Sequence, residues 1–150
     1  MIQLQPIGIV KSPRTRMSQG NWGQVQSEIH LNDHLAVGLR GLEEFSHIVV
    51  VFFMDRAAFV PSEHLLRRPK AQAHQPEIGV FAQRTKFRPN PIGVTAVKLL
   101  SINGNVLTVQ ALDALDGTPV LDLKPYMPIF DKVEKALLPQ WIAEFEKGYF

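Results

Sequence analysis

A chain of 150 residues with no cysteine, 45% hydrophobic and 20% charged residues, and 16 Lys and Arg against 14 Asp and Glu is expected to form one globular domain over residues 1–150. At this length folding buries roughly two-thirds of the unfolded chain's surface, so neither a disulfide nor a structural metal is needed, and the missing cysteine excludes a thiol nucleophile, a Cys-type zinc site and an iron–sulfur cluster. The longest apolar run, Ile48 to Met54, is far short of the roughly 20 residues of a membrane helix, and no signal-peptide pattern opens the chain, so no membrane partner and a cytoplasmic location are expected.

In chain order, Pro6 to Val10 is a short apolar segment ended by Ser12 and Pro13, and Val25 to Leu31 alternates as a half-buried strand. Asp33 to Leu42 is compatible with a short helix, capped by Asp33, weakened by Gly38 and ended near Gly41. His47 to Met54, rich in Val and Phe, suits a strand buried on both faces. Asp55 to Pro76 reads as a long excursion, a kind of loop that is often functional. Glu77 to Ala82 and Ile92 to Leu100 are further strands, and Asn103-Gly104 predicts a type I′ turn leading into Val106 to Leu112. Pro119 to Leu123 adds a strand whose first-position proline loses no ladder donor. Pro139 opens a predicted C-terminal helix with Trp141, Ile142 and Phe145 on one face. Many strands and few helices predict a mainly β domain, a small antiparallel barrel or a sandwich with short flanking helices.

The net charge of +2 conceals an uneven distribution. Between Arg56 and Arg88, seven basic residues (Arg56, Arg67, Arg68, Lys70, Arg84, Lys86, Arg88) face only Glu63 and Glu77, whereas the chain from Asp113 onward carries an excess of acids. The basic middle suits an anionic partner such as RNA, or is simply a solvated basic loop. Its densest part is Arg84-Thr85-Lys86-Phe87-Arg88-Pro89-Asn90-Pro91-Ile92-Gly93, where the prolines on either side of Asn90 stiffen the backbone. A stiff loop with three cations is a preorganised anion holder, and Arg84 and Arg88 can each fork onto a carboxylate or phosphate; alternatively one of them pairs with a structural carboxylate such as Asp113 or Asp116. Asp113 follows an apolar strand end, where a carboxylate can accept ribose hydroxyls, while Asp116-Gly117 has the composition of an ordinary turn. Gln19-Gly20-Asn21-Trp22-Gly23 places a tryptophan in a loop, as a cover over a ligand or neighbouring chain, or as a lid on the domain's own core. His30 and His34 are spaced as helical metal ligands, but the strand end between them and the missing HExxH pattern argue against a metal. No nucleophile elbow, P-loop or Rossmann glycine pattern occurs.

Taken together, Gly79-Val80-Phe81-Ala82-Gln83-Arg84 with Phe87-Arg88-Pro89-Asn90-Pro91-Ile92-Gly93, and the run Leu115-Asp116-Gly117-Thr118-Pro119-Val120-Leu121-Asp122-Leu123-Lys124-Pro125-Tyr126, resemble the TrmO/TsaA-like family. Pro6 to Val10, Ser12-Pro13 and Gly41 to His47 extend the resemblance over most of the chain. It implies a β-barrel methyltransferase that uses S-adenosylmethionine without a Rossmann loop, as a homodimer with the cofactor near the subunit interface. The implied substrate is tRNA, at the N6 nitrogen of threonylcarbamoyladenosine beside the anticodon. Matched positions imply cofactor contacts from Asn21, Trp22 and Gly23, from Asp55 and Arg56, from Arg84 and Val94, and from Gln110, Ala111, Leu112 and Asp113. Arg84 is expected on the cofactor's carboxylate, Asp113 on its ribose or adenine and Trp22 over the adenosine or substrate base, with Arg88, Asn90 and Lys124 toward the acceptor; no catalytic residue is assigned. The tRNA enzymes of the family commonly have Pro-Arg-Gln in the early loop, His-Gln after the central strand and Thr before the motif arginine. Asn21-Trp22-Gly23, Asp55-Arg56 and Gln83 stand there instead, which is similar to a variant branch, and longer relatives carry a further C-terminal domain. Two other readings stay open: the same chemistry on a small-molecule acceptor, and a non-catalytic RNA-binding barrel.

Overall fold

The computed structural model describes residues 1–17, 20–69, 73–142 and 148–150. Its strands are β1 (Gly8–Lys11), β2 (Gln26–Leu31), β3 (His47–Phe53), β4 (Leu66–Arg67), β5 (Ile78–Gly79), β6 (Ile92–Asn103), β7 (Val106–Gln110) and β8 (Pro119–Pro125). Six of them close into an antiparallel barrel in the order β1-β2-β7-β6-β3-β8, with Gly8 opposite Val120 at the closing seam; β4 and β5 form a separate two-stranded ribbon. Closure leaves no barrel edge open to pairing with another chain.

Alternation sets the interior. Val10, Ile29, Leu31, Ile48, Val50, Phe52, Val97, Leu107, Val109 and Val120 point inward as one buried cluster. Here β3 differs from its expectation of burial on both faces, because only Ile48, Val50 and Phe52 are buried. Its outward side chains face those of β6, with Val49 opposite Ala96, Val51 opposite Val94 and Phe53 opposite Ile92, which makes an apolar outer wall. The continuous apolar run thus combines an inner core stripe with an outer one.

Several local expectations shift by identifiable physics. Asp33–Leu39 and Leu42–Glu44 are 3₁₀ turns in place of the α-helix, interrupted at Gly41 with φ +93°. Asp33 does not cap them; its Oδ1 accepts from the Asn105 amide at 2.9 Å. Of Glu77–Ala82 only Ile78–Gly79 is strand, and Val80–Ala82 turns so that Val80 is buried. The β6–β7 turn centres on Gly104 and Asn105, and only Gly104 has positive φ (+64°), a type II′ pattern in place of I′. Asn105 is anchored from outside the hairpin, since its amide also donates to the Leu31 carbonyl at 2.6 Å. The excursion from Asp55 to Pro76 contains a single-turn helix, α1 (Pro61–His64), besides β4. After β8 comes another short helix, α2 (Pro128–Asp131). The Ile142 amide donates to the Pro139 carbonyl at 3.1 Å, while Phe145 of the expected C-terminal helix lies outside the described residues, as do Gln19 and Lys70.

Candidate functional site

The end of β7 organises the site. The Gln110 amide donates to the Gly23 carbonyl at 2.9 Å, and the Ala111 amide to the Val25 carbonyl at 2.9 Å, so this strand end is tied to the early loop. Ala111 has φ +76°, a left-handed conformation that costs a residue with a Cβ about 1–2 kcal/mol. This turn carries the chain from β7 into Leu112, fully buried in the core, and Asp113 beside it. Any Leu112 contact with a ligand is therefore confined to its backbone. Ala111→Gly removes the Cβ clash at some cost in unfolded-chain entropy. The net expectation is a gain of about 0.5–1 kcal/mol, read as a rise of about 2 °C in the thermal midpoint.

Asp113 is held from two sides. The Thr95 hydroxyl, from β6, donates to its Oδ1 at 2.5 Å, and the Tyr149 hydroxyl donates to its Oδ2. Burial first, and then the Asp113 charge and hydrogen bond, push the Tyr149 phenol well above its ordinary range, against an opposing effect of the Arg84 cation. The phenol is thus a neutral donor at any physiological pH. Arg84 lies in the same neighbourhood, and its Nη2 donates to the Val94 carbonyl at 2.8 Å, one residue before Thr95.

Tyr149 reaches this place because residues 148–150 lie along the early loop. The Asn21 amide donates to the Gly148 carbonyl at 2.8 Å and the Trp22 amide to the Tyr149 carbonyl at 2.9 Å. Both glycines of the loop are explained by this contact. A Cβ on Gly20, whose φ is +86°, would collide with the Gly148 carbonyl oxygen, and one on Gly23 would come within 2.8 Å of the Phe150 backbone. Trp22 is fully buried in its 3₁₀ turn (Trp22–Gln24), and the Arg14 guanidinium lies 4.5 Å from the ring centroid. A cover over a bound base is not what this ring offers; it packs as a lid on the domain itself.

Nine of the expected cofactor positions therefore form one connected group: Asn21, Trp22, Gly23, Arg84, Val94, Gln110, Ala111, Leu112 and Asp113. Arg56 is tied elsewhere, since its guanidinium donates to the Thr15 carbonyl (2.9 Å) and the Asp116 carbonyl (2.8 Å) and clamps the Asp116-Gly117 turn, while the Asp55 backbone amide donates to the Phe53 carbonyl at 2.9 Å just past β3. Asp116 is a turn residue whose Oδ1 accepts the Ser12 amide at 3.0 Å. Arg88 folds back into its own loop, donating to the Gln83 carbonyl at 2.8 Å, and Lys124 makes an exposed ion pair with Asp122 at 2.9 Å that raises its pKa. The Asn90 carbonyl accepts the Ile92 amide at 2.7 Å, which closes the Pro-Asn-Pro turn, and Gly93 follows because a Cβ there would strike the buried Phe52 ring. Thr95 and Tyr149 were missed. Thr95 is an inward polar residue on an apolar strand, a signal that alternation carries; nothing local marks Tyr149.

Beside this group lies a cationic and aromatic surface. The Phe87 ring stacks on His64 at 4.6 Å between centroids, with Lys86 and Arg67 charges 5.0 and 5.6 Å from its centre. Phe81, on the turn that Val80 anchors, is 79% exposed. Among the described residues no three His, Asp or Glu side chains converge as metal ligands, and His30 bonds Glu28 at 2.9 Å. No described helix is long and apolar enough to cross a membrane.

The fold and this group define a small closed β-barrel with a carboxylate and a guanidinium gathered where β6 begins and β7 ends, at the end of the hairpin away from its turn. Residues 11–132 match the family described as tRNA-methyltransferase O N-terminal domain, and the chain belongs to that family. A relative from Archaeoglobus fulgidus named "Probable S-adenosyl-L-methionine-binding protein" is 39% identical over 148 residues, covering 96% of this chain and 39% of that protein. The Escherichia coli protein named tRNA (adenine(37)-N6)-methyltransferase is 33% identical over 145 residues, covering 89% of this chain and 61% of the other. The crystal structure of TrmO from Pseudomonas aeruginosa superposes with a TM-score of 0.76 at 29% identity, over 94% of this chain and 62% of the other. The chain thus spans less than two-thirds of the length of each.

Proposed function

We propose that this protein is an S-adenosylmethionine-dependent methyltransferase that methylates the N6 nitrogen of threonylcarbamoyladenosine in tRNA. The observation that carries the reading is the meeting of Arg84, Val94 and Asp113 with the Gln110–Asp113 strand end in a chain of this family. The donor set suits the cofactor: an ionised carboxylate accepts up to about four hydrogen bonds, so Asp113 retains capacity for ribose hydroxyls beside Thr95 and Tyr149. Arg84 suits the methionine carboxylate, because one nitrogen anchored on the Val94 carbonyl fixes the guanidinium plane. S-Adenosylmethionine supplies a methyl group already activated on a sulfonium, so the chain needs no nucleophile of its own. Its task is positioning, for which a barrel-mounted group of residues is well suited.

Recognition of tRNA is supported by the cationic surface around Phe87, where Arg67 and Lys86 give a polyanion a face and exposed Phe81 offers a ring for stacking. A homodimer fits the apolar outer wall of β3 and β6, which runs past Val94 next to Arg84. The test is incubation of the purified chain with methyl-labelled cofactor and either tRNA that carries threonylcarbamoyladenosine without its N6 methyl group or a metabolite extract. Label at N6 of the modified adenosine is expected. Label in the metabolite fraction alone overturns the choice of acceptor, and RNA binding without label in either overturns the enzyme.

A further inference from the structure

We propose that Tyr149 is a positioning residue of the candidate cofactor site, and that the segment Gly148–Phe150, docked on the Gly20–Gly23 loop, holds the Asp113 carboxylate in its binding orientation. The proposal rests on the reading of Asp113 as a cofactor ligand. Its own support is geometric. Asp113 has one hydroxyl donor on each oxygen, Thr95 on Oδ1 and Tyr149 on Oδ2, so tilting the carboxylate out of this plane or moving it to another χ1 rotamer breaks at least one bond. Two donors also leave the remaining lone pairs for a ligand's hydroxyls. A first-contact group whose orientation is locked in advance binds without the entropic cost of ordering it.

The seat of this segment is built. Two backbone hydrogen bonds join it to Asn21 and Trp22, and Gly20 and Gly23 leave room for its backbone that no other residue would. Arg14 closes the opposite side of the loop, its Nη1 and Nη2 donating to the Gly20 and Asn21 carbonyls at 2.9 and 3.1 Å. The Tyr149 and Phe150 rings meet edge to face at 4.7 Å, and Phe150 lies against Gly23. Contacts from two parts of the chain, β6 and residues 148–150, therefore converge on one carboxylate, and the second of them is seated on the early loop. The Gly-Asn-Trp-Gly loop acquires a role that needs no ligand contact by Trp22: it is the dock for the residue that orients Asp113.

The test is a double-mutant cycle on S-adenosylmethionine affinity, measured by calorimetry on the full chain with Tyr149→Phe, Asp113→Ala and the pair. Tyr149→Phe keeps the ring and the docked backbone but removes the hydroxyl, and it is expected to weaken binding about tenfold in the wild-type background. In the Asp113→Ala background the same change is expected to have no further effect, because no carboxylate remains to be oriented. An equal loss in both backgrounds would assign Tyr149 a merely structural role and overturn the proposal, as would tighter binding by Tyr149→Phe, the sign of a residue competing with the cofactor. If Asp113→Ala alone leaves affinity unchanged, the assignment of Asp113 fails; if that assignment holds and Tyr149→Phe binds normally, only the positioning role fails.

Discussion

Asp113→Ala is expected to lower S-adenosylmethionine affinity about a hundredfold, by removing the one carboxylate in the group that joins the early loop to β6 and β7. A hydrogen bond to a charged acceptor contributes about 1.5–3 kcal/mol, and about 2.7 kcal/mol corresponds to a factor of 100 in the dissociation constant. The substitution also strands two partly buried donors, the Thr95 and Tyr149 hydroxyls, at about 1–3 kcal/mol each. The thermal midpoint should therefore fall along with the affinity. Asp113→Asn separates the two effects, since its amide retains one oxygen for a hydroxyl donor but loses the charge. It should melt closer to wild type and still bind poorly. Arg84→Ala gives a smaller loss, about tenfold, because the side chain is exposed and its ion pair with a ligand carboxylate is screened by water. Calorimetry on the three variants checks these outcomes, and wild-type affinity in Asp113→Ala or Arg84→Ala would remove that residue from the site.

The parts of this molecule that the sequence made legible are those encoded by neighbours in the chain. β2 follows from alternation, and β7 with the β6–β7 hairpin from Asn103-Gly104 between two strand patterns, although which residues take the turn centre was decided by Asn105 reaching Leu31 and Asp33. Asp113 stood out because it follows a strand end. Arg56 and Arg88 did not reveal their partners, because both bond to backbone carbonyls, which every residue carries and no pattern marks. The local pattern of Gly20 and Gly23 marked only a loop around Trp22, yet their cause is a close approach by Gly148 and Phe150, more than a hundred positions away. Tyr149 lay beyond sequence reasoning for the same reason. A tyrosine at this point of the sequence carries no sign that its hydroxyl will meet a carboxylate 36 positions away.

Trp22→Ala is expected to destabilise the protein by about 4 kcal/mol, the range for removing a fully buried large aromatic ring. For a domain of this size that corresponds to a fall of roughly 10 °C in the thermal midpoint. The ring is a keystone of the early loop: Arg14 lies over one face and binds the loop's carbonyls, and the Trp22 amide holds residues 148–150. Its loss should therefore also free Tyr149 from Asp113, a weakening of cofactor affinity that follows from undocking and not from a lost stacking contact. Trp22→Phe distinguishes these effects. Phenylalanine keeps most of the apolar contact and omits the indole N–H, which is buried with no acceptor among the described residues, so the change removes an unpaired donor along with some volume. About 1–2 kcal/mol of destabilisation with near-normal affinity is expected from Trp22→Phe, measured by thermal melting and calorimetry on the same samples. Normal melting of Trp22→Ala with a large loss of affinity would mean that the indole covers the ligand, the other of the two readings that the sequence left open, and would overturn its place as a lid on the domain itself.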